Sequence, residues 1–226
     1  MKNVLKKLKG RHYLCFLDFE GTQFSHEMIA YGAVLVTIDK NGYIVKQKAP
    51  VKQYVKAKNA IGKYVENLTG ITRLDLDRFG ISFTQAIKEL KKYCGLHYKK
   101  CAFLTFGNHD MRILNQSISY NLDAPKDLCQ IIKSNYIDFQ AIISEFIKDD
   151  HNNPLSLYQV RQDWHVRHVS PKIPFPDAAP IFSFCPLHFL SLCPFVPDLQ
   201  IYIIVQLLFR HFLRIPLLRY YRDYPG

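Results

Sequence analysis

Acidic residues are scarce in this chain. Its 226 residues hold 19 Asp and Glu against 30 Lys and Arg, a formal net charge of +11 and a pI of about 9.3. Such a balance argues against an acidic solvating chain and favours a polyanionic partner, nucleic acid first and an anionic membrane second. Long apolar runs are missing too. The best stretch, residues 199–209, is about 11 residues, whereas a membrane span needs about 20. It is followed by Arg210, His211, Arg214 and Pro216. The first ten residues carry charge without the apolar stretch of a secretory signal. Cysteine pairs of the C-x-x-C type are absent. Cys15, Cys94, Cys101, Cys129, Cys185 and Cys193 are dispersed, several of them inside apolar runs. That pattern predicts reduced, mostly buried thiols in a cytoplasmic protein, and excludes a zinc site or a disulfide framework. No internal repeat is visible. The length allows one good core but not two full domains, and with 48% hydrophobic residues a folded core is expected.

What is present begins with an apolar run, Tyr13-Leu14-Cys15-Phe16-Leu17, that ends in Asp18, Phe19 and Glu20. Apolar residues on both faces predict a strand covered on both sides. Alternation puts Asp18 and Glu20 on one face and Phe19 on the other. Two carboxylates projecting together from such a strand are costly unless a cation lies between them, and a pair of divalent metal ions is the simplest candidate. The competing reading is an Asp and a Glu at a solvated strand end.

Further along, residues 29–38 form a second apolar run, and Asp39-Lys40-Asn41-Gly42 reads as a hairpin turn. Residues 43–49 follow as a third strand. Lys46, Lys48, Lys52, Lys56 and Lys58 then read as a solvated edge in preference to a phosphate-facing rim. Helices are predicted over 59–68 and over 82–93, the second capped by Ser82 with an apolar stripe of Phe83, Ala86, Ile87 and Leu90. Residues 101–106 form a fourth strand, and Gly107-Asn108 a turn. A helix carrying Met111, Ile113, Leu114 and Ile118 comes next. A fifth strand over 135–138 and helices over 141–147 and 155–162 complete the pattern. The order predicts an α/β fold, a mixed five-stranded sheet with flanking helices. Asp110 would lie in the first turn of its helix, where the dipole favours an anion. It also lies, like Asp18 and Glu20, at the C-terminal end of a strand, the edge where such sheets bind ligands.

Four segments in order carry a resemblance. Residues Phe16-Leu17-Asp18-Phe19-Glu20-Gly21-Thr22, Glu27-Met28-Ile29-Ala30-Tyr31-Gly32-Ala33-Val34, Leu68-Thr69-Gly70-Ile71-Thr72 and Phe106-Gly107 through Asp110 to Leu114 resemble the DEDD family of 3′–5′ exonucleases. The likeness is to its DEDDh branch, with ribonuclease T, Eri-like and polymerase III proofreading types among the relatives. It covers roughly residues 11–160 and implies a ribonuclease H-like fold. It implies hydrolysis of phosphodiester bonds at single-stranded RNA or DNA 3′ ends, with two Mg²⁺ or Mn²⁺ ions about 3.5–4 Å apart. The resemblance makes Asp18, Glu20 and Asp110 the catalytic, metal-holding residues. It makes Gly21, Thr22, Leu68, Thr69, Gly70 and Asn108 substrate-binding, Gly21 and Thr22 by letting the backbone approach the terminal nucleotide. Phe24 and Met28 are read as core residues before substrate contacts, and His109 as a solvated histidine before a catalytic one.

The family's third motif has no counterpart. DEDDh enzymes carry His-x-x-x-x-Asp and DEDDy enzymes Tyr-x-x-x-Asp. Five residues before Asp163, Asp177, Asp198 and Asp223 stand Tyr158, Lys172, Cys193 and Leu218; four before stand Gln159, Ile173, Pro194 and Arg219. His168 and the Asp177-Ala178 pair have the wrong spacing to be its remnants. The composition changes at the same place. Nineteen of 20 lysines precede residue 161, whereas six of ten arginines and nine of 12 prolines follow residue 160. A separate module, a membrane-associated segment and a reading-frame shift compete as explanations, and the frame shift is favoured. Residues 1–160 are thus expected to be a C-terminally incomplete exonuclease domain, and 161–226 an atypical Pro-rich tail. The rival functional reading is a catalytically impaired nucleic-acid-binding remnant of the family. A third is the poorly folding product of a damaged gene.

Overall fold

The structure is a computed structural model, and it describes Leu8, residues 10–145 and residues 151–153. The expected helix over 155–162, the tail from 161 onward, and Cys185 and Cys193 lie outside these residues.

The chain opens with the apolar strand β1 (Tyr13–Gly21), which is longer than its apolar run predicts. An antiparallel strand β2 (Met28–Ile38) lies beside it. The hairpin turn forms as the sequence indicates. Gly42 adopts φ 87°, and the Asp39 carboxylate accepts from the amides of Asn41 and Tyr43 at 2.9 and 2.8 Å. The edge of β2 is then shared by two short antiparallel strands, β3 (Ile44–Gln47) and β4 (Val51–Tyr54). On the other side of β1, β5 (Cys101–Thr105) and β6 (Tyr136–Asp138) run parallel to it. The mixed α/β sheet is as expected, but it has six strands, not five. The additional strand is β4, four residues in a lysine-rich stretch whose apolar content is too low to announce a strand.

Helices α1 (Lys63–Thr69) and α2 (Arg73–Phe79) lie between β4 and α3 (Phe83–Cys94). A 3-10 turn over Gly95–Lys100 leads into β5. Helices α4 (His109–Tyr120), α5 (Lys126–Ser134) and α6 (Phe139–Ile143) complete the described chain. Ser82 caps α3 by accepting from Gln85 N–H at 3.1 Å, and the predicted stripe of Phe83, Ala86, Ile87 and Leu90 is buried.

The sheet has two differently covered faces. Cys15, Leu17, Phe19, Tyr31, Ala33 and Leu35 point into the main core, against α3, α4 and α5. On the opposite face, Leu14, Phe16, Val34 and Val36 pack with Phe139 and Ile142 of α6. Further along that face Ala30 and Tyr54 join Ile61, Ile71 and Leu76 around α1 and α2. The row between these two apolar clusters starts at Asp18. All four described cysteines are buried free thiols, as expected.

Candidate active site

The pairing of β1 with β5 ends at Phe16–Leu104, and beyond it the two strands part. The amide of Phe19 on that flank has no strand partner. It donates instead to the Asp110 carboxylate, Oδ1, at 2.6 Å. Helix α4 packs on the main core through Ile113 and Leu114, so its first turn meets the gap at the strand edge. Asp110 therefore enters between the strand ends and meets Asp18 and Glu20. The register shifts between Glu20 and Gly21, an irregularity of the kind that re-aims side chains next to active sites.

Alternation behaves as predicted. Phe19 is buried in the core, while Asp18 is exposed and Glu20 half-buried on the other face. Burial raises the pKa of Asp18, and Lys52 opposes that. Solvent access and crowding coexist here. Glu20 is pushed up to about 7, first by burial and then by Asp18, with Lys52 again opposing. Asp110, only 7% exposed, is pushed up to about 8 by burial and then by Asp18. The Phe19 amide pulls it down, and Glu20 adds a smaller upward push. Three carboxylates thus feel one another's charge. Among the described residues no three His, Cys, Asp or Glu side chains close into a metal cage. The donor set is nevertheless all oxygen and all acidic. That chemistry fits hard divalent cations such as Mg²⁺ or Mn²⁺ and does not suit zinc.

The remaining sequence-predicted site residues fall into different situations. Gly21 is close to α4; a Cβ there would stand 2.9 Å from Ile113 Cγ1. Thr22 is buried. Its amide donates to the Glu27 carbonyl at 2.8 Å, and its hydroxyl pairs with Ser25 and accepts from Glu27 N–H. Thr69 is also buried, its hydroxyl donating to the Val65 carbonyl at 2.7 Å. Gly70 takes the left-handed conformation, φ 68°, that ends α1. Leu68, in contrast, is 61% exposed and Ile71 is buried beneath it. Asn108 is exposed at the start of α4, with no capping hydrogen bond from its side chain.

Met28 is fully buried, in keeping with a core role. Phe24 is not a core residue. It is 83% exposed on the turn between β1 and β2, because that turn is closed by Thr22, Ser25 and Glu27 and leaves no apolar pocket for its ring. His109 is exposed and meets His26 edge to face, with centroids 5.4 Å apart.

Two residues outside the predicted set bear on the site. Asp138 ends β6 and accepts from the amides of Gly107 and Ala141 at 3.2 and 3.1 Å. It thereby caps α6 and fixes the loop that delivers Asp110. Its position after a short apolar strand and before a helix was the available signal. Lys52 faces the carboxylates from β4, and only the strand register reveals it.

The family model for exonuclease, RNase_T, matches residues 15–155, well over half of the chain. The chain belongs to the RNase_T exonuclease family. This is a family of 3′–5′ exonuclease hydrolases of the DEDD type, with a ribonuclease H-like fold, and it uses divalent metal ions. Among solved structures, a full-length 3′-exonuclease matches at 29% identity over 49% of this chain and 53% of that chain, TM-score 0.41. The nuclease domain of 3′hExo, a DEDDh family member bound to rAMP, matches at 26% identity over 60% of this chain and 70% of that chain, TM-score 0.46. E. coli exonuclease I, solved with a dT13 oligonucleotide, matches at 14% identity over 67% of this chain and 35% of that chain, TM-score 0.50, which bears on the fold alone. The chain spans about half the length of the full-length 3′-exonuclease it resembles. A comparison with curated proteins gives no match. Among the described residues no helix is long and apolar enough to cross a membrane.

Proposed function

We propose that this member of the RNase_T exonuclease family is a metal-dependent exonuclease that shortens single-stranded RNA or DNA from the 3′ end. The observation that carries the reading is the arrival of Asp110 at the Phe19 amide, 2.6 Å away, between two other strand-end carboxylates. Asp18, Glu20 and Asp110 would hold two Mg²⁺ or Mn²⁺ ions. Bound there, the ions supply Lewis-acid stabilisation of the attacking and leaving oxygens of the phosphodiester.

The chain's own residues bind and orient the strand end. Gly21 lets α4, which carries Asp110, pack closely against the end of β1. Leu68, exposed beside the Thr69–Gly70 helix end, would offer an apolar surface for the terminal base, and Asn108, exposed at the start of α4, an amide. A net charge of +11 draws the polyanionic substrate to the protein.

The test is degradation of a labelled single-stranded oligonucleotide. Purified protein with Mg²⁺ or Mn²⁺ is expected to remove nucleotides from the 3′ end, and chelation to stop it. Asp18→Ala is expected to lower the rate by at least about a hundredfold. A second reading rests on the missing third motif, for without a general base the rate falls by roughly 10²–10⁴-fold. If wild type and Asp18→Ala bind the strand equally and neither degrades it, a catalytically impaired nucleic-acid-binding protein replaces the enzyme.

A further inference from the structure

The strand register places one lysine beside the carboxylates. Asp18 pairs with Gly32 on β2, and Gly32 pairs with Lys52 on β4. Residues directly opposite one another project to the same face. Lys52 therefore rises from the face that carries Asp18, and Gly32 between them contributes no side chain. Two strand spacings separate the ends of this row, roughly 10 Å between Cα positions. A lysine's flexible four-carbon stem crosses most of that distance.

The next row on the same face is Glu20, Ala30 and Tyr54. Lys52 Nζ lies 5.1 Å from the centroid of the Tyr54 ring, which leans the ammonium along β4 toward the Glu20 row. Its charge reaches both Asp18 and Glu20, where it opposes the effect of burial. Among the described residues the Lys52 ammonium forms no ion pair and no hydrogen bond, unlike the cations of Arg73, paired with Asp77, and Lys92, paired with Glu89. Nearby lysines differ. Lys48 donates to the Tyr93 carbonyl at 2.7 Å, and Lys58 donates to the Tyr120 carbonyl. The row itself lies between the apolar cluster of Phe16 and Val34 and that of Ala30 and Tyr54. The row thus has a carboxylate at one end and, at the other, an ammonium whose contact is the Tyr54 ring.

We propose that Lys52 is a substrate-binding residue of this site, its ammonium holding a non-bridging oxygen of a nucleic-acid phosphate on the β4 side of Asp18 and Glu20. A phosphodiester bound at the carboxylates brings its negative charge beside this row. The three N–H donors of Lys52 are free to take it. The proposal rests on the exonuclease reading, because it needs the nucleic-acid strand at these carboxylates.

The experiment compares full-length wild type, Lys52→Ala, Lys52→Arg and Lys46→Ala in binding fluorescein-labelled oligo(dT) and oligo(U). Ca²⁺ replaces Mg²⁺, and salt is varied. Lys46, on β3, faces Thr37 and is the control for general surface charge. Lys52→Ala is expected to raise Kd roughly fivefold at low salt and to flatten the plot of log Kd against log salt by about 0.7, one phosphate contact on a single strand. Lys52→Arg is expected to keep the wild-type slope, and Lys46→Ala to leave Kd unchanged. Calorimetric Mn²⁺ affinity without oligonucleotide is expected to rise modestly in Lys52→Ala, because a positive charge that acts on Asp18 and Glu20 is removed. An unchanged slope in Lys52→Ala, with wild type still binding, overturns the role of Lys52 alone. So does an equal loss in Lys46→Ala. Wild type that binds neither strand overturns the nucleic-acid reading together with this one.

Discussion

Asp110 is held where its charge is least comfortable. The Phe19 amide favours its carboxylate form, but burial and Asp18 oppose it, and the net effect is a pKa of about 8, with Glu20 at about 7. Unfolded carboxylates titrate near about 4. The folded chain without metal therefore binds these protons more tightly than the unfolded chain. Their contribution to stability is complete below about pH 4 and is lost as pH rises through 7 and 8. The melting temperature of the metal-free protein is expected to fall between about pH 5 and pH 8.5. Asp110→Asn should flatten that fall, and Mn²⁺ at the upper end should raise the wild-type melting point by replacing the lost protons with cationic charge. Differential scanning fluorimetry across pH reads all three; identical flat profiles for wild type and Asp110→Asn would remove the electrostatic coupling. Asp18 and Glu20 were legible in the sequence because alternation alone sets their shared face, and Asp110 because helix starts attract acids. Lys52 was not, since its nearness to Asp18 depends on two pairings across β2 that no local pattern encodes.

At the scale of elements, the loop from β5 to α4 decides how well Asp110 is aimed. Gly107 turns it at φ 92°, its carbonyl accepting from Thr105 Oγ1 at 2.6 Å and Tyr136 OH at 2.8 Å, its amide donating to Asp138. Removing Asp138 takes away a helix cap and an anchor of this loop together. Asp138→Ala is expected to cost about 1–2 kcal/mol in urea unfolding. It should lower kcat more than it raises KM, because Asp138 anchors the loop that aims Asp110 and is not itself a substrate contact; Asp138→Asn, which keeps an acceptor, should recover much of both. Equal kcat in Asp138→Ala and wild type would reduce Asp138 to a cap. Strong strands and the amphipathic α3 were readable from periodicity. Helix α2 was missed, although Thr72 and Asp75 form a reciprocal capping box, because seven residues hold only one buried side chain, Leu76. Helix α5 was missed because its buried set, Leu128, Cys129 and Ile132, is brief and follows Pro125. Helix α6 begins at Phe139, two residues before its predicted start, since Asp138 caps it.

For the whole molecule, the distribution of charge and the extent of the family match point to one boundary. Lysine serves as the main cation up to residue 160 and arginine after it, while proline becomes frequent. The match to the RNase_T exonuclease family ends at residue 155. The carboxylate set has three members, and the His-x-x-x-x-Asp that resembling enzymes place after this point does not occur in residues 151–226. A change of reading frame replaces every codon at once, and so accounts together for the change of cation, the rise in proline and the missing motif. We therefore infer that residues 161–226 are read in a shifted frame and that 1–160 carry the exonuclease domain. The nucleotide sequence downstream of codon 160 is expected to encode a His-x-x-x-x-Asp in one of the other two frames, and its absence from both would overturn the inference. Where it is found, restoring that frame supplies a fourth carboxylate and a general base to the site built by Asp18, Glu20 and Asp110. The restored protein is then expected to bind Mn²⁺ more tightly by calorimetry and to degrade a single strand about 10²–10⁴-fold faster than the present chain. Equal rates in the two proteins would mean that the three carboxylates suffice without the third motif.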